Sequence, residues 1–581
     1  MPATASLLKF QIGPVQDFIA QARSTRDLWS GSYLLSWLVA VGIQKFIKDG
    51  GTLIFPSTEK QPLLDLETAK IAKDHTLLLT PNLPNIFIGS IPADQDARSM
   101  AAEVKNAINK EWRRIATAVW EKRSKFYMPD AASERFFAQV DRHLCIAWQI
   151  TPVTNDYLEA YCRNGWQLDA VRQTRDFSAW ESGQGNCDKD SLSGREEAVI
   201  GGKEWFEGIK SQPAGYAFLF KHPDHLGAVN VIKRVWHLAY LENKHDLKTD
   251  SKKFVIRSTR GIATRDYSEG ASDDTDTELA RGEKYLAAIA FDGDSIGQWV
   301  SGDLLSHEKR KNLRGHHEDF SKALSAFALK EVSAVINLHD GFLIYAGGDD
   351  VVALVPADTA LACAKELREK FLQATKCIEG IDPDTKIIIH PDASVGIAIA
   401  HVNSPLQDLI REAQKAEKRA KTTIGRPAFS VTLMKRSGEI SHWGSKWDSG
   451  GLNLYMEISK LLGNAALSAK FPHRVCQLLE PYLTGRSGIS EQEDAITPDT
   501  AVDVILHEFS FAIDRQSYPK SKSANQTILT QAAATYLGSL KQAHPSEIQP
   551  LITSFLGLCS TVAFADSNRA AAPTAEKQPL S

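Results

Sequence analysis

GFLIYAGGDDVVALVP, residues 341–356, holds two apolar runs parted only by Gly347-Gly348-Asp349-Asp350. Runs this rich in aromatic and β-branched residues predict strands, and a short glycine-bearing gap between them predicts a tight β-hairpin. Upstream, YLAAIAF (285–291) is a third apolar run, and it closes on Asp292. If the hairpin pairs beside that strand, Asp292, Asp349 and Asp350 converge at one edge of one sheet. Carboxylates gathered that closely repel one another, and Mg²⁺ (or Mn²⁺), which takes hard oxygen ligands, relieves the repulsion. Two such ions about 3.5–4 Å apart activate an attacking hydroxyl and clamp a triphosphate. Gly347 and Gly348 let the backbone approach a phosphate and accept positive φ. Asp294, two residues past Asp292, is placed either as a further ligand or as a structural hydrogen-bond partner. Gly-Gly-Asp-Asp alone is equally an ordinary hairpin turn, because glycine and aspartate are favoured there.

The surrounding pattern adds to the hairpin. Helical spacing runs from Asp294 to about His339 and again over 357–376. KIIIHPDASVGIAIAH (386–401) supplies one or two strands, PLQDLIREAQKAEKRAK (405–421) a helix, and AFSVTLMK (428–435) a last strand. That order predicts a ferredoxin-like palm over 281–440. Its second helix carries Lys415, Lys418, Arg419 and Lys421. Three of these are spaced by three, so neighbouring members share a face, placed to hold phosphates opposite the metals. The competing reading is a solvated face paired with Glu412 and Glu417.

Toward the N-terminus, SLLKFQIG (6–13) reads as a strand, and Val15 to about Lys48 as a long helix broken at Gly31. TLIFPS (52–57) is a second strand, 94–126 an amphipathic helix, and LCIAWQITPV (144–153) a third strand. A second ferredoxin-like unit follows over 1–220, with a polar insertion at about 155–205. Residues 221–280 read as helical and then polar, with a solvated Gly/Ser/Asp-rich linker at 264–283. Helical patterns over 450–565 predict a C-terminal bundle, and 566–581 a tail. The fold class is therefore α/β (α+β), with two ferredoxin-like palm domains and helical domains between and after them. The first palm has no acidic hairpin, so it is expected to supply a second nucleotide surface or a structural partner. Arg23, Arg26, Trp29 and Tyr33 could meet RNA or another subunit, although Trp29 and Tyr33, four apart, fit a core better.

Composition narrows the function classes. The 581 residues carry 67 Lys and Arg against 71 Asp and Glu, a net charge of -4, which excludes holding nucleic acid by bulk positive charge. None of the seven Cys forms a Cys-x-x-Cys pair. Cys145, Cys162 and Cys187 are widely separated, so structural zinc is not expected, and the remaining thiols read as buried and apolar. The longest apolar run, Leu34–Ile43, is about half the ~20 residues a membrane span needs. No signal peptide is evident, and a cytoplasmic protein without a membrane partner is expected.

YLAAIAFDGDSIGQWVSG (285–302), GFLIYAGGDDVVALVP and DASVGIAIAHVNSPLQDLIREAQKAEKRAK (392–421) together resemble the palm cyclase domain of the large subunit of type III CRISPR effector complexes, most of all the Cmr-type (III-B). FQIGPVQDFIAQARSTRDLWSGSYLLSWL (10–38) resembles the first palm of the same subunit. AEKRAK followed by Gly425-Arg426 also resembles the end of GGDEF cyclase domains. The resemblance implies synthesis of cyclic oligoadenylate from ATP when the assembled complex holds target RNA, with guide crRNA and other Cmr-type subunits as partners. It assigns Asp292, Asp349 and Asp350 to two metal ions, with Asp294 beside them. Gly347 and Gly348 form the nucleotide loop, and Lys421, Lys418 and Ser394 join the nucleotide-binding group. Many relatives carry an N-terminal HD nuclease domain. Here the first palm starts within ten residues of Met1, and His245-Asp246 and His339-Asp340 lack a surrounding His/Asp cluster, so no DNase activity is expected. Two other readings stand beside the enzyme. One is a non-enzymatic scaffold of the ribonucleoprotein. The other is a diguanylate cyclase, against which the motif continues Asp-Asp-Val and a helical bundle follows. The enzymatic reading requires Asp292 beside the hairpin, and fails if a basic side chain neutralises that corner and leaves no room for a triphosphate.

Overall fold

Strand β1 (Ser6–Gly13) alternates buried and half-buried residues and leads into a short helix α1 (Gln16–Ala20) and the long helix α2 (Thr25–Lys48). The helix break predicted at Gly31 lies instead at residues 21–24. The Ser24 hydroxyl accepts from the Asp27 amide at 3.2 Å and the Asp27 carboxylate accepts from the Ser24 amide at 3.3 Å, a reciprocal cap that starts α2. Gly31 stays inside the helix because another side chain lies against it: a Cβ there would sit 3.0 Å from Lys233 Cε. Next come β2 (Thr52–Phe55) and β3 (Ile86–Ile91), then helices α3 (Ala97–Glu121) and α4 (Ser133–His143), β4 (Cys145–Pro152) and α5 (Tyr157–Gln173). The computed structural model describes residues 4–65, 75–154, 156–174, 188–211, 215–221, 224–251, 254–266, 279, 284–483, 497–518 and 522–568.

The sheet order is β2-β3-β1-β4, all antiparallel, so β3, unforeseen in the sequence, completes the ferredoxin-like pattern. Within the predicted polar insertion, α5 covers the sheet. The Asn164 amide donates to the carbonyls of Leu7 at 3.0 Å and Gln149 at 3.1 Å. Residues 155 and 175–187, Cys187 among them, lie outside the described residues. Helix α6 (Ala228–Trp236) packs on α2, α3 and α4 and shares one core with them. Trp29 and Tyr33 belong to that core. They stack at 5.0 Å and donate to Leu79 O and Leu78 O, while Arg23 is ion-paired to Asp224 at 2.5 Å. Apart from 264–266 and 279, the predicted linker lies outside the described residues.

The second sheet is built from β5 (Tyr285–Gly293), β6 (Phe342–Ala346), β7 (Asp350–Pro356), β8 (Ala393–His401), β9 (Ala428–Met434) and β10 (Ile440–Lys446), with helices α7 (Leu313–Ala326), α8 (Ala360–Thr375) and α9 (Leu406–Arg419). Its order is β6-β7-β5-β8-β9-β10. The first four strands repeat the order of the N-terminal sheet, so the chain holds two copies of one architecture. The sequence reading stopped at β9; β10 pairs antiparallel with it as a further edge strand. Both faces of β5 are buried, which is why YLAAIAF is a continuous apolar run rather than an alternating one. Leu286, Ala288 and Ala290 join the N-terminal core, whereas Ala287, Ile289 and Phe291 join a second core with the C-terminal helices.

Helices α10 (Gly451–Gly463), α11 (Phe471–Leu479), α12 (Pro498–Gln516), α13 (Lys522–Ala543) and α14 (Gln549–Ser567) form the C-terminal bundle. By length and composition α14 is apolar enough to cross a membrane. In the structure it is a packed helix with Leu551, Phe555, Leu558 and Val562 in the bundle core. Cys363 and Cys559 are buried as expected. Cys377 is exposed because it falls just past the last turn of α8.

Candidate active site

The hairpin forms, and it forms beside β5. Asp350 opens β7 directly opposite Asp292 on β5, and the Gly293 amide donates to the Asp349 carbonyl at 3.0 Å. Three residues, 347–349, make the turn. The Gly347 amide closes it on the Asp350 carbonyl at 2.8 Å, and Gly348 sits at φ +108°, where a side chain is strained. Gly347 is required for a different reason: a Cβ there would collide with the hydroxyl and ring of Tyr345. The strand register therefore places Asp292, Asp349 and Asp350 at neighbouring backbone positions at one strand end.

The electrostatics differ for each acid. Burial raises the Asp349 carboxyl above the usual range, and Asp350 is pushed up to about 7 by burial, by Asp349 and by Glu417. Neither has a cationic partner among the described residues. Asp292 does: Lys421 Nζ ion-pairs with it and with Glu417 Oε1, the latter at 2.8 Å. Burial also lifts Glu417 to about 7, helped by Asp294, and draws Lys421 down to about 8, still protonated at neutral pH. Lys421, expected on phosphate, thus occupies the corner the carboxylates share.

Asp294 and Ser394 are brought together by hydrogen bonds of their own, while Asp294 still lies near enough to Glu417 to raise it. The fully buried Ser394 hydroxyl donates to both Asp294 oxygens, at 2.8 and 3.0 Å, and accepts from the Ala428 amide at 3.3 Å. Arg426 Nε lies 3.4 Å from Asp294, whose carboxyl burial raises to about 6. Ser394 is therefore a structural anchor with no exposed hydroxyl for a nucleotide, and Asp294 takes the structural role the sequence left open. Among the described residues, no three acidic, His or Cys side chains are grouped so as to hold a metal ion.

Of the basic stripe on α9, only Lys421 reaches the acids. Lys415 pairs with Glu412 at 2.6 Å, and Arg419 donates to the hydroxyls of Ser430 and Thr432, both at 2.9 Å. Lys418 is exposed. One residue along a helix turns about 100°, so Lys418 points aside from Glu417. Lys421, one turn further on and inside the wider π-helical turn 420–425, comes back to Glu417. The competing reading of a paired, solvated face therefore describes Lys415, and Arg419 is a brace to β9.

A cavity of about 170 Å³ opens beside Asp292, Asp350, Glu417 and Tyr345, and its opposite wall is Val15 together with Gln16, Ile19 and Ala20 of α1. Sequence reasoning passed over this wall, and it passed over Glu417 and Tyr345 as site residues. The signal for Glu417 was its spacing of four from Lys421. Nothing local in the sequence places α1 there. The His-Asp pairs have their own neighbours: His339 bonds Glu366 at 2.9 Å, and the His245 ring meets the Trp37 edge at 4.8 Å.

Comparison with known families and structures follows the same two halves. Residues 7–117 match the family "CRISPR-associated protein Cmr2, N-terminal", and residues 285–430 match "Cas10/Cmr2, second palm domain". The CRISPR system Cmr subunit Cmr2 of Pyrococcus furiosus is 24% identical over 553 aligned positions, covering 74% of this chain and 62% of the relative. The chain thus spans about three fifths of that protein's length. Cmr2 of Saccharolobus solfataricus is 32% identical over 119 residues, 19% of this chain and 11% of the relative. Among solved structures, a chain of the type III-B Cmr-beta complex in its apo state superposes with TM-score 0.62 at 15% identity, covering 89% of this chain and 78% of the other. The same complex bound to cognate target RNA gives 0.60 at 15% identity, covering 89% and 79%. At that identity the likeness concerns the fold.

Proposed function

We propose that this chain, of the Cas10/Cmr2 family by its matched N-terminal and second-palm domains, is the large subunit of a type III-B RNA-guided effector complex that makes cyclic oligoadenylate from ATP. Its partners are other Cmr-type subunits and, through them, guide crRNA and target RNA, in the cytoplasm. The reaction is attack of a ribose hydroxyl of one ATP on the α-phosphate of a second, with the hydroxyl proton lost and pyrophosphate leaving. The observation that supports this reading is the register match of Asp292 with Asp350, with Asp349 in the adjoining turn, where neither Asp349 nor Asp350 has a cationic partner among the described residues.

The chemistry of these donors suits a divalent ion, although the described side chains are not themselves grouped into a three-ligand set. Asp349 and Asp350 offer hard oxygens whose uncompensated charge burial makes costly, and Mg²⁺ removes the cost. Asp292, Asp349 and Asp350 would hold divalent ions, whose chemistry would be activation of the attacking hydroxyl and neutralisation of phosphate charge. The residues of the chain do the rest. Gly348 lets the backbone of the turn lie close to phosphate. Lys421 exchanges Asp292 for a phosphate oxygen when nucleotide and metal arrive. The cavity is smaller than the ~300–1,000 Å³ of whole-ligand pockets, so it takes one part of a nucleotide while the triphosphate lies over the hairpin.

A second reading, a scaffold without catalysis, is favoured by one observation: Lys421 already neutralises Asp292. Incubating the assembled complex with guide RNA, target RNA, Mg²⁺ and labelled ATP or GTP separates the readings. Oligomers from ATP support the synthase and a dimer from GTP a diguanylate cyclase. Absence of product from either nucleotide leaves the scaffold. Mass spectrometry of the product identifies any joining of AMP to another metabolite.

A further inference from the structure

α1 is a single turn of five residues, too short to hold its shape unaided. Yet it supplies one wall of the cavity opposite Asp292 and Asp350. Its C-terminal carbonyls are held from outside. Lys233, on α6, is 1% exposed, and its Nζ donates to the carbonyls of Phe18 at 2.5 Å and Gln21 at 2.6 Å and lies 3.4 Å from that of Ile19. These are the acceptors left free where a helix ends, and a lysine amine is a suitable cap for them. The same amine lies 4.9 Å from the centre of the Phe18 ring. Asp27 is nearby, but it is bound to Arg234 at 3.1 Å, so the hydrogen bonds of Lys233 go to the helix end. Gly31 makes room for it, since a methyl there would stand 3.0 Å from Lys233 Cε.

We propose that Lys233 is a positioning residue for the nucleotide site: it clamps α1 in place, so that the first palm presents Gln16 and Ile19 as a fixed wall against the nucleotide held at Asp292 and Asp350. The inference rests on the reading of that cavity as a nucleotide site. Lys233 does not touch the ligand. Its loss unseats a wall that contacts substrate in the ground state and the transition state alike, which raises KM more than it lowers kcat.

The test uses the full chain in its assembled complex with guide and target RNA, measuring ATP KM, kcat and melting temperature. Lys233→Met is expected to raise KM by about tenfold with kcat within about twofold. Gly31→Ala guards against simple misfolding. It replaces glycine by alanine in a helix interior, which favours the helix itself, while its methyl, 3.0 Å from Lys233 Cε, crowds the amine, so KM is expected to rise several-fold with a smaller fall in melting temperature than Lys233→Met gives. Glu111→Gln is the control. It weakens a buried cluster in which Glu111 accepts from Trp37 at 2.9 Å and Tyr240 at 2.6 Å and does not line the cavity, so it should lower the melting temperature and leave KM unchanged. If Lys233→Met and Gly31→Ala keep the wild-type KM while the wild type turns over ATP, the proposal is overturned and the nucleotide site stands. If the wild type neither binds nor converts ATP, the nucleotide reading itself falls and takes this inference with it.

Discussion

The two ferredoxin-like sheets share a strand order and differ at one corner. In the second sheet the end of the first strand meets the start of the third as Asp292 opposite Asp350; in the N-terminal sheet the matching pair is Gln11 opposite Ile86. The second sheet joins its hairpin strands through 347–349, whereas in the first sheet the connection takes residues 56–85. A three-residue turn brings two further groups, the Asp349 carboxylate and the backbone of Gly348, to the strand end. A long connection does not. The same backbone therefore carries charge in one copy and none in the other, and the uncharged copy lends a wall, α1, to the charged one. A duplicated fold becomes a site when short turn geometry and acidic side chains coincide, and its partner can contribute by shape alone.

The largest test of that contrast removes the charge. Asp349→Ala with Asp350→Ala is expected to reduce cyclic oligoadenylate formation by on the order of 10³-fold or more, because the lost metal stabilisation is worth several kcal/mol. Complex assembly, followed by size-exclusion chromatography, should be retained. Adding Gln11→Asp and Ile86→Asp to that variant should restore nothing, since the N-terminal corner lacks the tight turn; recovered product would show that strand register alone makes the site. Next in size, Lys421→Met is expected to raise the ATP KM by about 10- to 100-fold if the amine transfers to phosphate. An unchanged KM would assign Lys421 to Asp292 alone.

The two halves also carry opposite pH signatures. Asp350 is pushed up to about 7 in the folded state, above the ordinary carboxyl value of 3.8, so the native state holds the extra proton and stability falls as pH rises between those values. Lys233 is drawn down from 10.5 to about 7 by burial, so the unfolded state holds the extra proton and stability rises as pH climbs through that window. Denaturant melts across pH 4–10 should show Asp350→Asn flattening the acid-side fall and Lys233→Met flattening the alkaline-side rise. Smallest of all, Gly348→Ala at φ +108° should cost roughly 1–2 kcal/mol of second-palm stability, read as a drop in melting temperature of a few degrees.

Legibility in the sequence followed how local each signal was. The β6–β7 hairpin, the Asp292 strand and the α9 helix were readable because each is a contiguous pattern closed by its own turn residues. β3 was missed because IFIGSI is short and its neighbour in the sheet, β1, lies about eighty residues earlier in the chain. Gly31 was misread as a helix break because its reason for being glycine is Lys233, on another helix. The α9 stripe was legible as basic, but a one-dimensional spacing could not separate Lys418, facing solvent, from Lys421, which returns through the wider turn to Glu417 and Asp292.

From the amino-acid order alone came the doubled α/β plan and the three acids that meet at a strand end, because hydrophobic period and turn chemistry act over a few residues. Which groups those acids face was decided only by packing. Lys421 on Asp292, Ser394 on Asp294, and α1 held by Lys233 are contacts between segments far apart in the chain, selected by burial, where a charge or a free carbonyl must find whichever partner the folded neighbours bring within reach.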